Sequence, residues 1–243
     1  MQTLSYSRRR GEIETYFDLT AADAWKRLTS DAPVSGIRAT VRAGRDRMRA
    51  TLLDWLPQNL SGMRILDAGC GTGALSIEAA RRGADVVGVD IAPTLIAIAG
   101  ERRDAELASQ GSQPHSRRPG TIVFRAGDML SPSHGRFDAI VAMDSLIHYA
   151  PADKIDILAR LADRCDGALL FTFAPRTPAL AAMHAVGRLF PRQNRAPSIE
   201  PVAPDRLARL IATDTGLAGW QVGRSERIVS GFYTSQAMEL IAP

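Results

Sequence analysis

Beyond about residue 63, apolar runs rich in β-forming residues alternate with stretches of helical period. The predicted strands are residues 64–68, 84–90, 121–126, 137–142 and 168–173, and the helices predicted between them are residues 74–82, 93–107 and 152–164. Pro93 and Pro151 stand where helices begin, and Gly83 and Gly167 stand where helices end. This alternation is typical of βαβ units around a parallel sheet.

The pattern loosens after residue 173, where prolines interrupt the chain. One helix is predicted at residues 180–190, inside a small cap segment of about residues 175–204 that precedes the return to the sheet. A further helix at residues 205–213 leads into residues 219–223 and 227–233, which read as a closing pair of strands. Together these elements predict a Rossmann-like α/β fold with a seven-stranded, mostly parallel sheet.

The N-terminal part of the chain has a predominantly helical pattern. We interpret residues 1–60 as a helical arm or lid and residues 61–243 as the main domain. Candidate apolar contacts of the arm are Trp25, Leu28, Ile37, Val41, Met48, Leu52 and Trp55. Residues 109–120 are polar and rich in Gly, Pro and Arg, and are therefore predicted to form a surface loop.

Length and composition fit one large α/β domain with an appendage rather than two enzyme domains. The chain has 243 residues, of which 45% are apolar and 23% are charged. No apolar stretch approaches the roughly 18 to 20 residues that a membrane span requires. No apolar run of signal-peptide length follows Arg8-Arg9-Arg10. We therefore expect a cytoplasmic protein.

The charge balance is mildly basic, with 30 Lys and Arg residues against 26 Asp and Glu residues and a net charge of +4. This balance suits an acidic ligand, an anionic membrane face or simply a solvated basic surface. The sequence has no dense basic tract with interleaved aromatic residues, so a nucleic-acid partner is disfavoured. Cys70 and Cys165 belong to no CxxC pair, so neither a zinc site nor a disulfide framework is indicated.

A glycine-rich turn follows the first predicted strand, in the run Ile65-Leu66-Asp67-Ala68-Gly69-Cys70-Gly71-Thr72-Gly73. Glycine lets the backbone approach a ligand where a Cβ would clash, and the helix N-terminus beyond it favours negative charge. Gly69, Gly71 and Gly73 supply this turn. A dinucleotide fingerprint also fits, with Gly69, Gly71 and Ala74. The glycines alone therefore do not choose between S-adenosylmethionine (SAM) and a nicotinamide cofactor.

Acidic residues at the ends of successive predicted strands favour SAM. Asp67 could accept from the ammonium group of that cofactor, directly or through water, whereas a pyrophosphate would be repelled. Asp90 could accept both ribose hydroxyls, as in NAD sites. Asp128 resembles the methyltransferase position that accepts from the adenine amino group, with Met129 packing on the adenine face. The predicted cofactor-binding set also includes Ile91 and Asp144. Each aspartate taken alone could instead cap a helix or shape a loop.

Several segments outside the glycine turn carry a narrower likeness. They are residues 16–18 (YFD), 25–28 (WKRL), 37–45 (IRATVRAGR), 145–149 (SLIHY) and 173–177 (FAPRT). Together they resemble the magnesium-protoporphyrin IX O-methyltransferase family of bacteriochlorophyll synthesis, within the class I SAM-dependent methyltransferases. The resemblance spans nearly the whole chain and implies methyl transfer to a propionate carboxylate of the porphyrin, giving a monomethyl ester and S-adenosylhomocysteine (SAH).

The resemblance also implies roles for two residues far from the glycine turn. Tyr16 matches the functional tyrosine of the family's mobile arm, and His148 matches its functional histidine after the fourth strand. We expect both to hold the porphyrin, with His148 near the magnesium or its axial water and Tyr16 donating to the propionate or macrocycle edge. Alternatively, Tyr16 could only pack the arm against the core, and His148 could be a helix-entry residue that bonds to the backbone. The magnesium arrives within the substrate, so no protein-bound metal is expected.

The remaining expectations concern acceptors and partners. Arg38, Arg42 and Arg45 share one helix face and could meet porphyrin carboxylates or an anionic partner, or be solvated. A magnesium chelatase subunit and a peripheral membrane contact are candidate partners. The alternatives left open are another carboxylate or phenol O-methyltransferase, an NAD-dependent oxidoreductase, and a porphyrin carrier on the same fold.

Overall fold

The computed structural model of the protein describes residues 3–18, 36–110, 120–176 and 198–243. Three predictions lie outside the described residues. They are the cap helix at residues 180–190, most of the loop at residues 109–120, and the arm contacts of Trp25 and Leu28. The described residues therefore include most of residues 61–243 and part of residues 1–60.

A seven-stranded sheet lies at the centre of the described residues. Its strands are β1 (Arg64–Ala68), β2 (Asp85–Asp90), β3 (Ile122–Ala126), β4 (Phe137–Ala142), β5 (Cys165–Phe173), β6 (Gln221–Ser230) and β7 (Tyr233–Ile241). They are ordered β3-β2-β1-β4-β5-β7-β6, with β1 to β5 parallel and the β6–β7 hairpin joined antiparallel to β5. The predicted fold class is confirmed. Because the strand order reverses beside β1, a crevice opens at the carboxyl ends of β1 and β4.

Helices cover both faces of this sheet. They are α1 (Leu4–Tyr16), α2 (Ile37–Asp54), α3 (Ala74–Arg81), α4 (Pro93–Gln110), α5 (Pro151–Ala162) and α6 (Pro204–Thr213). Short 3-10 turns at Pro132–His134, Leu146–His148 and Thr215–Leu217 connect some of these elements. Proline stands in the first turn of α5 and α6, where its missing N–H would be unsatisfied in any case. None of the helices described here has the length and apolar character to cross a membrane.

The core is split by the sheet into two apolar layers. On one face Ile140 packs in the same cluster as Leu158 of α5. On the other face the neighbouring Val141 packs in a cluster with Leu52 of α2. Successive residues of β4 are therefore both buried, which is why the parallel strands are almost continuous apolar runs in the sequence.

The arm prediction holds only in part for the apolar contacts that the structure describes. Met48 and Leu52 of α2 are fully buried, and Val41 and Trp55 are partly buried against the same cluster. Ile37 was expected to make a core contact, but 57% of its surface is exposed. It is the first residue of α2 and precedes the part of the helix that reaches the sheet, so the expectation for Ile37 was wrong.

The closing strands differ from the prediction. Residues 219–223 and most of residues 227–233 were expected to form two strands, but both belong largely to the single strand β6. The hairpin turn lies at Gly231, whose φ of +56° favours glycine, and the second strand of the hairpin is β7. The prediction therefore divided one edge strand in two and missed the strand that pairs with β5.

Polar side chains at buried positions explain why β7 has no clear strand signal. Ser235, Gln236 and Glu239 are all buried there. Arg224 of β6 forms a salt bridge with Glu239, and the Arg227 guanidinium donates to Gln236 Oε1 at 3.0 Å. These polar residues are satisfied by partners on other segments of the chain, which the pattern along a single strand cannot show.

Gly44 of α2 is required where the helix crosses β7. A Cβ on Gly44 would lie 2.5 Å from Tyr233 Cδ1. Because Tyr233 is buried, Gly44→Ala is expected to destabilise the fold by about 1–3 kcal/mol despite the better helix propensity of alanine. Gly100→Ala is the matched control, because a Cβ there meets nothing within 4 Å and should stabilise α4 by about 0.5–1 kcal/mol. Urea unfolding measures the free energy of unfolding of both variants. If Gly44→Ala were stabilised as much as Gly100→Ala, the close packing of Gly44 on Tyr233 would be contradicted.

Candidate cofactor and active site

A cavity of about 880 Å³ opens at the carboxyl ends of β1 to β4, a volume within the range of small-molecule sites. Most of the predicted site residues line it. These are Tyr16, Asp67, Gly69, Gly71, Asp90, Ile91, Asp128, Met129, Asp144 and His148. The fold therefore brings one N-terminal residue and the ends of four strands to a single space, although those residues are widely separated along the chain.

The glycine turn adopts backbone conformations that favour glycine. Gly69, Gly71 and Gly73 have φ values of +82°, +55° and +79°. A Cβ on Gly69 would lie 2.3 Å from Ser145 Cβ. Gly73 differs from the other two because it does not line the cavity. A Cβ on Gly73 would lie 2.6 Å from Phe124 Cζ, so glycine here makes room for the Phe124 ring. Its structural role is to let α3 begin close to β3.

Asp67 is the most deeply buried acid of the cavity wall, with 1% of its surface exposed. The Ser76 hydroxyl donates to its Oδ2 at 2.6 Å. Burial raises the pKa of Asp67 to about 7, and the neighbouring Asp90 adds to this shift while the Ser76 bond opposes it. A cation placed beside this carboxylate would favour its ionised form, which suits an ammonium group.

Binding of SAH is expected to weaken as the pH falls below about 7, the pKa of Asp67 in the ligand-free protein. The dissociation constant should rise by up to about tenfold per pH unit, because an ammonium group binds the ionised carboxylate. Asp67→Asn should flatten this dependence. A calorimetric dissociation constant that stays constant for the wild type between about pH 6 and 8 would rule out this pairing.

The same pKa shift also affects folding stability. The folded protein binds the Asp67 proton more tightly than the unfolded chain does. That contribution is fully present below the unfolded pKa of about 3.9 and is lost as the pH rises through the folded value. Ligand-free Asp67→Asn is therefore expected to be more stable than the wild type above pH 7, which thermal unfolding at two pH values would measure.

Asp90 is oriented by the glycine turn itself. The Gly71 N–H donates to its Oδ2 at 2.8 Å, and the Ala92 N–H donates to its Oδ1 at 3.0 Å. Burial raises the pKa of this carboxyl. Each carboxylate oxygen has a second lone pair, so Asp90 can also accept from two hydroxyl groups. This arrangement fits a ribose and fixes the turn at the same time.

Asp128 is contacted by the N-terminal helix. The Tyr6 hydroxyl donates to its Oδ1 at 2.8 Å, and Arg10 Nη1 donates to its Oδ2 at 3.0 Å. Tyr6 is buried and stacks on Tyr149, with 5.2 Å between the ring centroids. The sequence analysis missed Tyr6 and Arg10, and no local pattern could have found them because they lie 122 and 118 residues from Asp128. The predicted adenine acceptor is thus also an anchor of α1.

Two buried residues complete this side of the cavity. Met129 follows Asp128 and is buried in the wall, where an adenine face would contact it. Cys70 lies in the glycine turn, and burial raises the pKa of its thiol well above the usual range. A raised pKa disfavours the reactive thiolate, which agrees with a packing role.

Asp144 occupies a strained position after β4. Its φ of +54° is unusual for a residue other than glycine, and such strain is often found at functional sites. Arg45 Nη1 donates to its Oδ2 at 2.7 Å, and the Tyr233 hydroxyl donates to its Oδ1 at 3.1 Å. Thr172 Oγ1 accepts from the Asp144 N–H at 2.7 Å. The carboxylate therefore joins α2 and β7 to the cavity wall, and its predicted contact with the cofactor stays a prediction.

The two predicted catalytic residues lie at the same end of the cavity. His148 is 7% exposed, and its Nδ1 lies 3.3 Å from the Ser198 carbonyl oxygen. Phe17 joins it to the arm, since the Phe17 ring lies 6.3 Å from His148 and 5.1 Å from Tyr16. A histidine bonded to the backbone was the alternative interpretation of His148 in the sequence analysis. The side chain makes this contact and also lines the cavity.

Arginines of α2 form a basic side of the cavity. Arg38, Arg42 and Arg45 line it, as expected from their helical spacing, and Arg49 of the same helix lines it as well. Arg45 pairs with Asp144, and Arg49 pairs with Asp46 at 2.9 Å. In the parts of the chain that the structure describes, no group of three or more His, Cys, Asp or Glu side chains is placed to hold a metal ion.

Comparison with known proteins identifies the family. Residues 142–242 match the model of the magnesium-protoporphyrin IX methyltransferase C-terminus, and residues 65–166 match a methyltransferase domain model. The magnesium-protoporphyrin O-methyltransferase of Rhodobacter capsulatus is 46% identical over 235 residues, which cover 96% of this chain and 97% of that protein. The chain belongs to the magnesium-protoporphyrin O-methyltransferase family. Membership favours SAM over a nicotinamide cofactor for the glycine turn.

Solved structures agree with this membership. The magnesium protoporphyrin IX methyltransferase of Synechocystis PCC 6803 with bound SAH superposes with a TM-score of 0.81 and 27% identity, covering 97% of this chain and all of that one. The ubiquinone biosynthesis O-methyltransferase of Xanthomonas oryzae is 33% identical over 74% of this chain and 71% of that protein. The family model of the magnesium-protoporphyrin enzymes covers His148 and the strands β5 to β7, so it includes the end of the cavity that His148 lines.

Proposed function

We propose that the protein transfers a methyl group from SAM to a propionate carboxylate of magnesium-protoporphyrin IX, giving the monomethyl ester and SAH. The observation that carries this proposal is the likeness to the Rhodobacter capsulatus enzyme over 96% of the chain. A likeness restricted to the glycine turn would support only the identity of the cofactor. The observed likeness also includes the N-terminal arm and the proposed acceptor side of the cavity.

The cavity wall fits the cofactor. A Cβ at Gly69 would fill the turn that has to receive it, and the buried Asp67 is suited to an ammonium group. Asp90, Asp128 and Met129 line the same cavity. In this proposal Asp90 accepts from the ribose hydroxyls, and Asp128 and Met129 contact the adenine. When bound, SAM supplies an electrophilic methyl group on a sulfonium centre.

The acceptor needs no general base. A propionate has a pKa of about 4.3, close to that of Glu, so it is ionised at pH 7. Attack of a carboxylate on a sulfonium neutralises two opposite charges, and exclusion of water together with alignment should supply most of the acceleration. Tyr16 and Phe17 wall the cavity from the arm side and exclude water, while Tyr16 and His148 orient the macrocycle. The magnesium arrives with the substrate, and His148 would contact it or a water bound to it.

The basic side of the cavity holds the other propionate. A strong cation at the reacting carboxylate would lower its nucleophilicity, so arginine contacts belong to the non-reacting group. Arg45 is paired with Asp144, and the proposed contacts are Arg38 and Arg42, which also line the cavity. The proposed macromolecular partners are a magnesium chelatase subunit and an anionic membrane surface, and the net charge of +4 suits the membrane surface.

The decisive experiment incubates the protein with magnesium-protoporphyrin IX and methyl-labelled SAM, followed by mass analysis. We expect one added methyl per porphyrin and an equal amount of SAH. Metal-free protoporphyrin IX tests the role of magnesium, and a phenolic acceptor tests the alternative suggested by the ubiquinone-pathway relative. Tight porphyrin binding without transfer of label would instead indicate a carrier, and thermal stabilisation by NADH but not by SAH would indicate an oxidoreductase.

A further inference from the structure

Ser145 carries a buried hydroxyl that the contacts described so far do not use. It follows Asp144 after β4 and lines the cavity. Its Oγ is shielded from solvent and has no hydrogen-bond partner among the residues that the structure describes. Folded proteins rarely keep such a group, because burying a hydroxyl without a partner is costly. An unsatisfied hydroxyl in a ligand cavity therefore indicates that a ligand atom is its partner.

The position of Ser145 is set by its neighbours. Its Cβ is close enough to the glycine turn that a Cβ on Gly69 would lie 2.3 Å from it and 3.1 Å from its Oγ. The preceding residue, Asp144, is held in its strained conformation by Arg45 and Thr172. The Ser145 side chain therefore lies beside the turn in the ligand-free protein, where a binding group would need little rearrangement.

The strand order indicates which part of a ligand reaches Ser145. Asp128 follows β3 and Asp90 ends β2, on one side of β1. Ser145 follows β4, on the other side of β1. If the adenine and ribose lie at Asp128 and Asp90, as the proposed function requires, the amino-acid end of the cofactor extends across β1 towards β4. The reacting carboxylate of the acceptor must approach the same end.

We propose that the Ser145 hydroxyl donates a hydrogen bond to a ligand carboxylate at this end of the cavity. The buried Asp67 is suited to the ammonium group of the cofactor. The Ser145 hydroxyl can therefore donate to the carboxylate. The carboxylate belongs to the amino-acid end of the cofactor or to the acceptor, and binding measurements distinguish the two. Ser145 was not among the residues predicted from the sequence.

The test compares wild type and Ser145→Ala in the full chain, with SAH and with 5′-methylthioadenosine, which lacks the amino-acid end. If the cofactor carboxylate is the partner, the dissociation constant for SAH rises by about tenfold or more, whereas that for methylthioadenosine is unchanged. If the acceptor carboxylate is the partner, SAH affinity is kept and the KM for magnesium-protoporphyrin IX rises by about tenfold. Ser145→Cys, which retains a weak donor, should restore part of the loss.

The stability of the ligand-free protein separates this role from a structural one. Because Oγ has no partner in the described residues, Ser145→Ala should unfold at the same temperature as the wild type or higher. The proposal is overturned if Ser145→Ala leaves both SAH affinity and the porphyrin KM unchanged. SAH binding is measured without porphyrin, so failure of the wild type to methylate the porphyrin would not affect that part of the result.

Discussion

Gly69→Ala is expected to lower the affinity for SAH by at least about 100-fold. The new Cβ would lie 2.3 Å from Ser145 Cβ, in a backbone conformation with φ of +82° that side chains rarely adopt. The turn can relieve this clash only by moving, and movement takes away the N–H of Gly71 that orients Asp90. Calorimetric titration with SAH measures the loss directly.

Gly62→Ala is the matched control for this substitution. Gly62 has the same φ of +82°, but a Cβ there meets nothing within 4 Å. It should therefore show the backbone strain alone, with a loss of stability of about 1–2 kcal/mol and SAH affinity close to that of the wild type. Equal losses of SAH affinity in both variants would mean that general destabilisation, rather than the shape of the turn, is being measured.

His148→Ala is expected to lower kcat for magnesium-protoporphyrin IX by about 10- to 100-fold, while SAH affinity changes by less than about twofold. The reason is alignment, because the propionate is already ionised and the histidine orients the macrocycle rather than removing a proton. The loss should therefore be nearly the same at about pH 6.5 and pH 8.5. Single-turnover kinetics at the two pH values, with SAH titration in parallel, provide the measurement.

Tyr16→Phe complements the histidine variant. It keeps the ring that packs at 5.1 Å from Phe17 and removes only the hydroxyl, so it tests donation to the substrate rather than packing of the arm. We expect a lower kcat with unchanged SAH affinity. If both variants lose SAH binding, the division of the cavity into cofactor and acceptor sides is wrong. If the rate of His148→Ala falls steeply as the pH decreases, a phenolic acceptor with a pKa of about 10 is favoured.

The parallel part of the sheet could be predicted because its strands are buried on both faces. The strands β1 and β4 were predicted with the bounds that the structure shows, Arg64–Ala68 and Phe137–Ala142. The strand β5 starts earlier than predicted, at Cys165, because Gly167 looks like the end of the preceding helix. The hairpin was misjudged for the opposite reason, since the edge strand β6 is largely exposed and β7 buries polar residues.

The part of the cavity lined by Asp67, Asp90 and Asp128 could be predicted from the sequence because these acids lie at or just beyond the carboxyl ends of strands. Their meeting point is fixed once the strands are parallel. The contacts between α1 and Asp128 were not accessible, because α1 contains Gly11 and a run of arginines and shows little amphipathic pattern. The partners of Asp144 were hidden for another reason, since Tyr233 belongs to the strand that the sequence pattern missed.

The antiparallel course of β7 has a practical consequence for work with this protein. Its first residues pair near the cavity, with Gln236 opposite Phe173. Its last residue, Ile241, pairs with Ala168 near the amino end of β5, which is the end of the sheet away from the cavity. An affinity tag or fluorophore attached after β7 therefore leaves the fold away from the cavity. The same label attached before α1 would sit on the helix whose Tyr6 and Arg10 hold Asp128. Surface immobilisation for binding assays should use the C-terminal attachment.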